Sequence, residues 1–277
     1  MEETVIKNLE IYNIRMDKSI EDKLWFLGQP EIKDVDVFVD FGCANGNMLR
    51  HMYYQDPGKV YIGYDNNTEM LSIAKEYCKN TGIKFIYNFE NIREYINREY
   101  PGKKVCLILS SVLHEVYSYT PAGAGIDEFW KSIKEDLNPD YIVIRDMTWG
   151  FNEDYEARYS LREHQNKFFM DCDKILLSAN KKQIRDFEKA IGRRFLRSIK
   201  DITHFLLKYK YIENWDREVQ ENYLSYKVMD IVSELRDKYK LTYHKFYCLP
   251  YLHEQFMKDF DIDFIGDTHY NFLFKKL

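Results

Sequence analysis

The stretch Asp36-Val37-Phe38-Val39-Asp40-Phe41-Gly42-Cys43-Ala44-Asn45-Gly46 decides the reading of this chain. A short β-branched and aromatic run, Val37–Phe41, leads into small residues at 42, 44 and 46, and a helix-length segment, Asn45–Gln55, follows. A buried strand that turns sharply into a helix needs this pattern. Small residues permit the tight backbone turn and let a ligand approach the helix N-terminus. Nineteen residues past Gly46, a second run, Val60–Tyr64, ends in Asp65. At a strand's carboxyl end such a carboxylate is placed to accept both hydroxyls of a ribose, in charge-assisted bonds of about 1.5–3 kcal/mol. The loop is not the dinucleotide fingerprint G-x-G-x-x-G, whose third glycine, counted from Gly42, falls on Asn47. The spacing is instead D-x-G-x-A-x-G. A negative Asp40 beside the loop suits a ligand with an amine and no pyrophosphate.

Outward from this stretch the period keeps switching. Runs at Ile83–Tyr87, Val105–Leu109 and Tyr141–Ile144 alternate with helix-length segments at Thr68–Asn80, Glu90–Glu99 and Ile126–Leu137. Short, near-continuous apolar runs between helices predict βαβ units and a parallel sheet covered on both faces. After Met147 the spacing turns helical for about a hundred residues, with Gly192 a candidate break in the stripe from Ile184 to Leu206. The end reads as strand again, Asp261–Ile265 and Tyr270–Phe274 around Gly266-Asp267-Thr268, which predicts a C-terminal hairpin.

Composition narrows the function classes. The 277 residues, 45% apolar and 31% charged, suit one large domain or a domain with an insertion. No run reaches the roughly 20 apolar residues of a membrane span, and Glu2 and Glu3 stand where a leader would be basic. Five scattered cysteines without a C-x-x-C pair argue against a disulfide scaffold and a zinc ribbon, and point to a cytoplasmic protein with reduced thiols. The histidines form no H-x-x-x-H pair, so no metal site is expected. Net charge is −5, yet residues 181–210 carry ten Lys/Arg against three acids. Arg193, Arg194, Arg197 and Lys200 form the centre of that window. It reads either as the solvated face of a packed helix or as a phosphate-binding footprint for RNA.

Asp36–Gly46 followed by Tyr61–Asp65 resembles motifs I and II of the class I S-adenosylmethionine (SAM)-dependent methyltransferases. Phe85–Ile92, Leu107–Val116 and Leu137–Ile144 are similar to the later motifs of that family, in order. Asn88 replaces its more frequent Asp, and the usual Gly-Gly before strand five is absent. The resemblance implies a Rossmann-like α/β fold: a mostly parallel seven-stranded sheet of order 3-2-1-4-5-7-6, with a large helical insertion after strand five. The expected organisation is a helical lead-in (1–35), a SAM-binding core (36–147), a helical insertion acting as a lid (148–249), and a C-terminal helix and β-hairpin (250–277). It further implies that Asp40 faces the SAM amino group, with Gly42, Ala44 and Gly46 along its methionine part. Asp65 would hold the ribose, Asn88 and Phe89 would flank the adenine, and Ser110 would border the site.

His114 and Glu115, just past strand four, are candidate catalytic groups, as is Asp146 at the end of strand five. His114 packed under the loop and Glu115 capping it is the equally open structural alternative. Ser110-Ser111 stands where metal-dependent O-methyltransferases carry Asp, so a metal-independent in-line displacement is expected. The acceptor stays open between RNA and a small molecule. A non-catalytic SAM- or RNA-binding module is the third reading.

Overall fold

The computed structural model describes residues 19–120, 123–151, 160–194, 198–264 and 266–277. Seven strands form one sheet in the order β3-β2-β1-β4-β5-β7-β6. They are β1 (Val37–Phe41), β2 (Val60–Tyr64), β3 (Lys84–Ile86), β4 (Val105–Ser110), β5 (Tyr141–Phe151), β6 (Tyr239–Tyr247) and β7 (Gly266–Lys276). β1 pairs in parallel with β2 and β4, β2 with β3, and β4 with β5. β7 runs against both neighbours. Lys276 N–H donates to the Asp140 carbonyl, whereas a Cβ on Gly266 would lie 3.0 Å from the Gly150 carbonyl. Toward β6, Leu277 N–H meets Lys238 and the Thr268 hydroxyl meets Tyr247. The expected strand order and the reversed seventh strand are both present.

The helices α1 (Asn47–Gln55), α2 (Thr68–Tyr77), α3 (Asn91–Glu99), α4 (Leu113–Tyr119) and α5 (Ala124–Lys131) fall between the first five strands. Local chemistry fixes their ends. Asn67 caps α2 by accepting from Glu69 and Met70 N–H, and Asn138, left-handed at φ 46°, closes the turn after α5 ahead of Pro139.

The described residues divide into two compact units, one with residues 19–146, Val228–His244 and Asn271–Leu277, the other with Met147–Lys227 and Lys245–Tyr270. Phe26, Phe38, Leu49, Met52, Cys106, Ile108, Val143 and Leu273 form the core of the first. β1 is buried along Val37–Asp40, as a strand covered on both faces must be. In the second, α6 (Leu161–Ser178), α7 (Lys181–Ile191), α8 (Ile199–Leu206) and α10 (Pro250–Phe260) contribute to a core that includes Phe187, Phe205, Trp215 and Phe256. Gly192, at φ 68°, ends α7, and Ser198 caps α8, so the apolar stripe from 184 to 206 is two helices.

Three expectations are corrected. β5 does not stop at Ile144 but continues to Phe151. The segment 148–249 is not wholly helical, since β6 occupies Tyr239–Tyr247 after α9 (Val228–Leu235). There is no C-terminal hairpin: Asp261–Phe264 is not a strand, α10 separates β6 from β7, and Gly266-Asp267-Thr268 begins β7. A Gly-Asp pair between apolar runs has the composition of a hairpin turn, but the glycine here serves packing instead. Here Gly266 sits where a side chain would strike the Phe264 ring at 2.6 Å. No helix among the described residues is long and apolar enough to cross a membrane.

Candidate functional site

The loop after β1 alternates left-handed positions, with φ of 78° at Gly42, 46° at Ala44 and 74° at Gly46. Two of the three are glycines because the surroundings leave no room as well. A Cβ on Gly42 would approach Val112 Cγ2 to 2.8 Å, and one on Gly46 would approach the Phe85 ring to 2.9 Å. The turn is strapped to the end of β2. Gly42 and Cys43 N–H both donate to the Tyr64 carbonyl, and Ala44 N–H donates to Asp65 Oδ2 at 2.8 Å. Asp65 Oδ1 accepts from Asn67 N–H at 2.9 Å. Asp65 therefore braces the loop, and Asn67 rather than Asp65 is the helix cap. A carboxylate has about four acceptor positions, so these two bonds leave capacity for ligand hydroxyls.

Asp40 is 3% exposed at the end of β1. Burial pushes its carboxyl up to about 7, against the pull of the Lys23 ammonium and helped by the negative Asp65. Burial also raises Asp65, against its two backbone hydrogen bonds. Two carboxylates held at adjacent strand ends, one of them dehydrated, make a place where a cation is wanted.

At the next strand the backbone is strained. Ser111 adopts φ 56°, its N–H donating to the Arg145 carbonyl and its hydroxyl accepting from Arg145 Nη1 at 2.7 Å. Arg145 is buried and pairs through Nε with Asp22 at 2.5 Å. Ser110 Oγ, at the end of β4, is buried without a hydrogen-bond partner. Two residues into the following turn, Asp146 grips His114 with both oxygens, Oδ1 to Nδ1 at 2.8 Å and Oδ2 to the backbone N–H at 3.0 Å. Both side chains are buried. A carboxylate on Nδ1 selects the tautomer that carries its lone pair on Nε2, so Asp146 orients the ring. Glu115 is half-buried on the same turn.

The structure thus brings together Asp40, Gly42, Ala44, Gly46 and Asp65, and separately joins His114 to Asp146. Asn88 is exposed, with Oδ1 accepting from Glu90 N–H. Phe89 packs edge-on against Phe41 and Tyr64, ring centroids 5.1 and 5.3 Å away. Sequence reasoning missed Phe41, Tyr64 and Arg145. The signal for the first two was an aromatic residue at the end of each of two adjacent strands; for Arg145 it was a lone charge inside an apolar run.

The basic stretch belongs to the other unit, and much of its charge is used internally. Arg193 pairs with buried Asp201 at 2.5 Å, Lys200 lies 4.5 Å from the Trp149 ring centre, Lys182 pairs with Asp186, and Lys210 with Asp259. Lys208 is fully buried, donating to the Glu218 and Glu221 carbonyls, and burial lowers its ammonium to about 7. Arg194 is exposed. Arg197 lies outside the described residues.

No protein-family model and no curated protein matches the sequence. Among solved structures, the chain is similar to the methyltransferase domain of bacterial CtHen1, at 14% identity and a TM-score of 0.41, covering 96% of this chain and 98% of that one. It is similar to the plantazolicin methyltransferase BpumL in complex with a triazolic desmethylPZN analog and S-adenosylhomocysteine (SAH), at 12% identity, 97% and 92% coverage and a TM-score of 0.46. A SAM-dependent methyltransferase from Anabaena variabilis ATCC 29413 shares 10% identity over 100% and 98%, with a TM-score of 0.46. With strand order 3-2-1-4-5-7-6 and a β7 that runs against both neighbours, the chain has a Rossmann-like, mostly parallel seven-stranded α/β fold.

Proposed function

We propose that the chain is a SAM-dependent methyltransferase whose acceptor is a small molecule that gives up a proton to His114. The observation that carries the reading is the conjunction, on neighbouring strand ends, of a left-handed loop between two carboxylates and a histidine clamped by Asp146. The residues present fit the cofactor. Asp40 would take its ammonium and Asp65 its ribose hydroxyls, Phe41, Tyr64 and Phe89 offer an apolar wall for the adenine, and the orphan Ser110 hydroxyl offers one more polar contact. SAM would supply a methyl group activated by a sulfonium. The protein's share is alignment, worth about 7–11 kcal/mol when the reacting groups are well oriented. His114 Nε2 adds a base for a hydroxyl or amine acceptor, a contribution of about 10²–10⁴-fold. Asp146 keeps the proton on Nδ1 and steadies the imidazolium once it forms.

The small-molecule reading is favoured by the internal pairing of the basic stretch, which leaves fewer cations for phosphates. RNA is the second reading, and exposed Arg194 is the residue that favours it. Titration calorimetry with SAM, SAH and NAD tests the proposal. Binding of SAM and SAH without NAD supports it, and binding of NAD alone overturns it. Turnover against small-molecule pools and against RNA then separates the acceptors, with an RNA role requiring affinity that falls steeply with salt and with Arg194→Glu. Binding without turnover on any pool would leave a non-catalytic module.

A further inference from the structure

Among the described residues, the segment before β1 carries no recognised motif, yet it places a cation beside the candidate cofactor site. The one-turn helix Ile20–Lys23 is pinned at two points. Asp22 bonds Arg145 on β5, and Phe26, just past the helix, packs 6.3 Å from Phe38 on β1, two residues before Asp40. β1, β4 and β5 are consecutive in the sheet, and Arg145 is in register with Ser110 at the end of β4, so the segment runs beside the ends of β1 and β4 where the ligand is expected. Lys23 lies between them and is 6% exposed, beside an Asp40 that is 3% exposed. The Lys23 ammonium is near enough to pull the Asp40 carboxyl down against the effect of burial. Lysine is seldom buried unless a partner of opposite charge justifies the loss of hydration. Asp40 gives it one partner, but in the proposed complex Asp40 turns to the ligand's ammonium.

We infer that Lys23 is a cofactor-site residue that takes the carboxylate of the ligand's amino-acid end, so that Asp40 and Lys23 together read an α-amino-acid zwitterion. This rests on the SAM reading above. In the empty site the two side chains neutralise each other. With ligand present, each exchanges its internal partner for the opposite pole of the zwitterion, so charge stays balanced in a dry site. The segment that carries Lys23 thereby becomes part of the binding site, and Arg145 is the positioning residue that anchors it through Asp22.

The test is calorimetry on the full chain with SAH, with its decarboxylated analogue that keeps the amine, and with 5′-methylthioadenosine, which lacks both charges. Lys23→Met should weaken SAH about 10- to 100-fold, the loss of one charge-assisted contact. It should leave methylthioadenosine unchanged and the decarboxylated analogue unchanged or tighter, because Asp40 has lost its internal cation. Lys23→Arg should restore most of the SAH affinity. Equal losses on SAH and the decarboxylated analogue, or no loss on either, would overturn the inference and reduce Lys23 to a structural counter-ion. Should Lys23→Met not fold, the wild-type protein decides: equal affinity for SAH and its decarboxylated analogue overturns the inference, and a preference for SAH that Lys23→Arg preserves supports it. If none of the three nucleosides binds wild-type protein, the SAM reading itself fails and this inference falls with it.

Discussion

Cofactor affinity should depend on pH through Asp40. In the empty protein its carboxyl is held at about 7, well above the ordinary 3.8, because it is buried. Ionising it there costs about 4 kcal/mol relative to water, at about 1.4 kcal/mol per pH unit. An ammonium seated on it favours the ionised form, so binding below pH 7 must expel a proton. The association constant should rise up to about tenfold per pH unit from 5 to 7 and level off above, roughly 100-fold in all. It should fall again above about 8, where an α-amino group loses its own charge. Calorimetry with SAH in buffers of different ionisation enthalpy reads both the slope and the proton count, which should approach one proton released per ligand at pH 6. Asp40→Asn should bind weakly at every pH without the slope. The sign for stability is opposite. Since the native carboxyl binds its proton more tightly than the unfolded one, Asp40 makes the empty protein less stable as pH climbs from about 4 to 7. Asp40→Asn should remove this part of the pH dependence from the empty protein's melting temperature. A SAH affinity flat between pH 5 and 7.5, or a slope that survives in Asp40→Asn, would refute the reasoning.

Other expectations follow from single contacts. His114→Asn should lower kcat about 10²–10⁴-fold while leaving SAH affinity unchanged. Asp146→Asn should do nearly as much by freeing the wrong tautomer, and the pH–rate profile separates the two variants. Asp65→Ala should weaken SAH by one to two decades and lower stability by about 1–3 kcal/mol, because the Ala44 and Asn67 N–H groups lose their acceptor. Urea unfolding and calorimetry read the two effects independently. Lys208 lies at about 7 against an ordinary 10.5, so the unfolded chain binds its proton more tightly and stability should rise between pH 7 and 10. Lys208→Met should abolish that slope in thermal melts.

Much of the fold was legible because each of the first five strands is a compact apolar run bounded by helix caps. The reversal of period at Asn67, Gly192 and Asn138-Pro139 survives folding because those residues satisfy helix ends locally. β6 was not legible. Tyr239–Tyr247 mixes lysines, a histidine and aromatics at the sheet's edge, where one margin of the strand has no neighbour and polar residues are tolerated. The loop and its two carboxylates were legible because their spacing is contiguous. The clamp of Asp146 on His114 spans 32 residues, and only the pairing of β4 with β5 brings the two together. Lys23 falls in the expected helical lead-in, but its neighbourhood is made by Asp22–Arg145 and Phe26–Phe38, contacts that no local spacing encodes.

The two carboxylates differ in what would happen to them if the activity were ever abandoned. Asp65 serves the folded chain even when empty, since it holds Ala44 and Asn67, so drift would retain it in a descendant that had ceased to work. Asp40 is held dehydrated in the empty protein, a cost that Lys23 offsets only in part, and on the proposed function the ligand's ammonium is what it is kept for. In such a descendant it should be among the first positions to change, to asparagine or an apolar residue. On that reading Asp40, more than the loop, is the position whose loss would mark a chain that no longer binds the ligand.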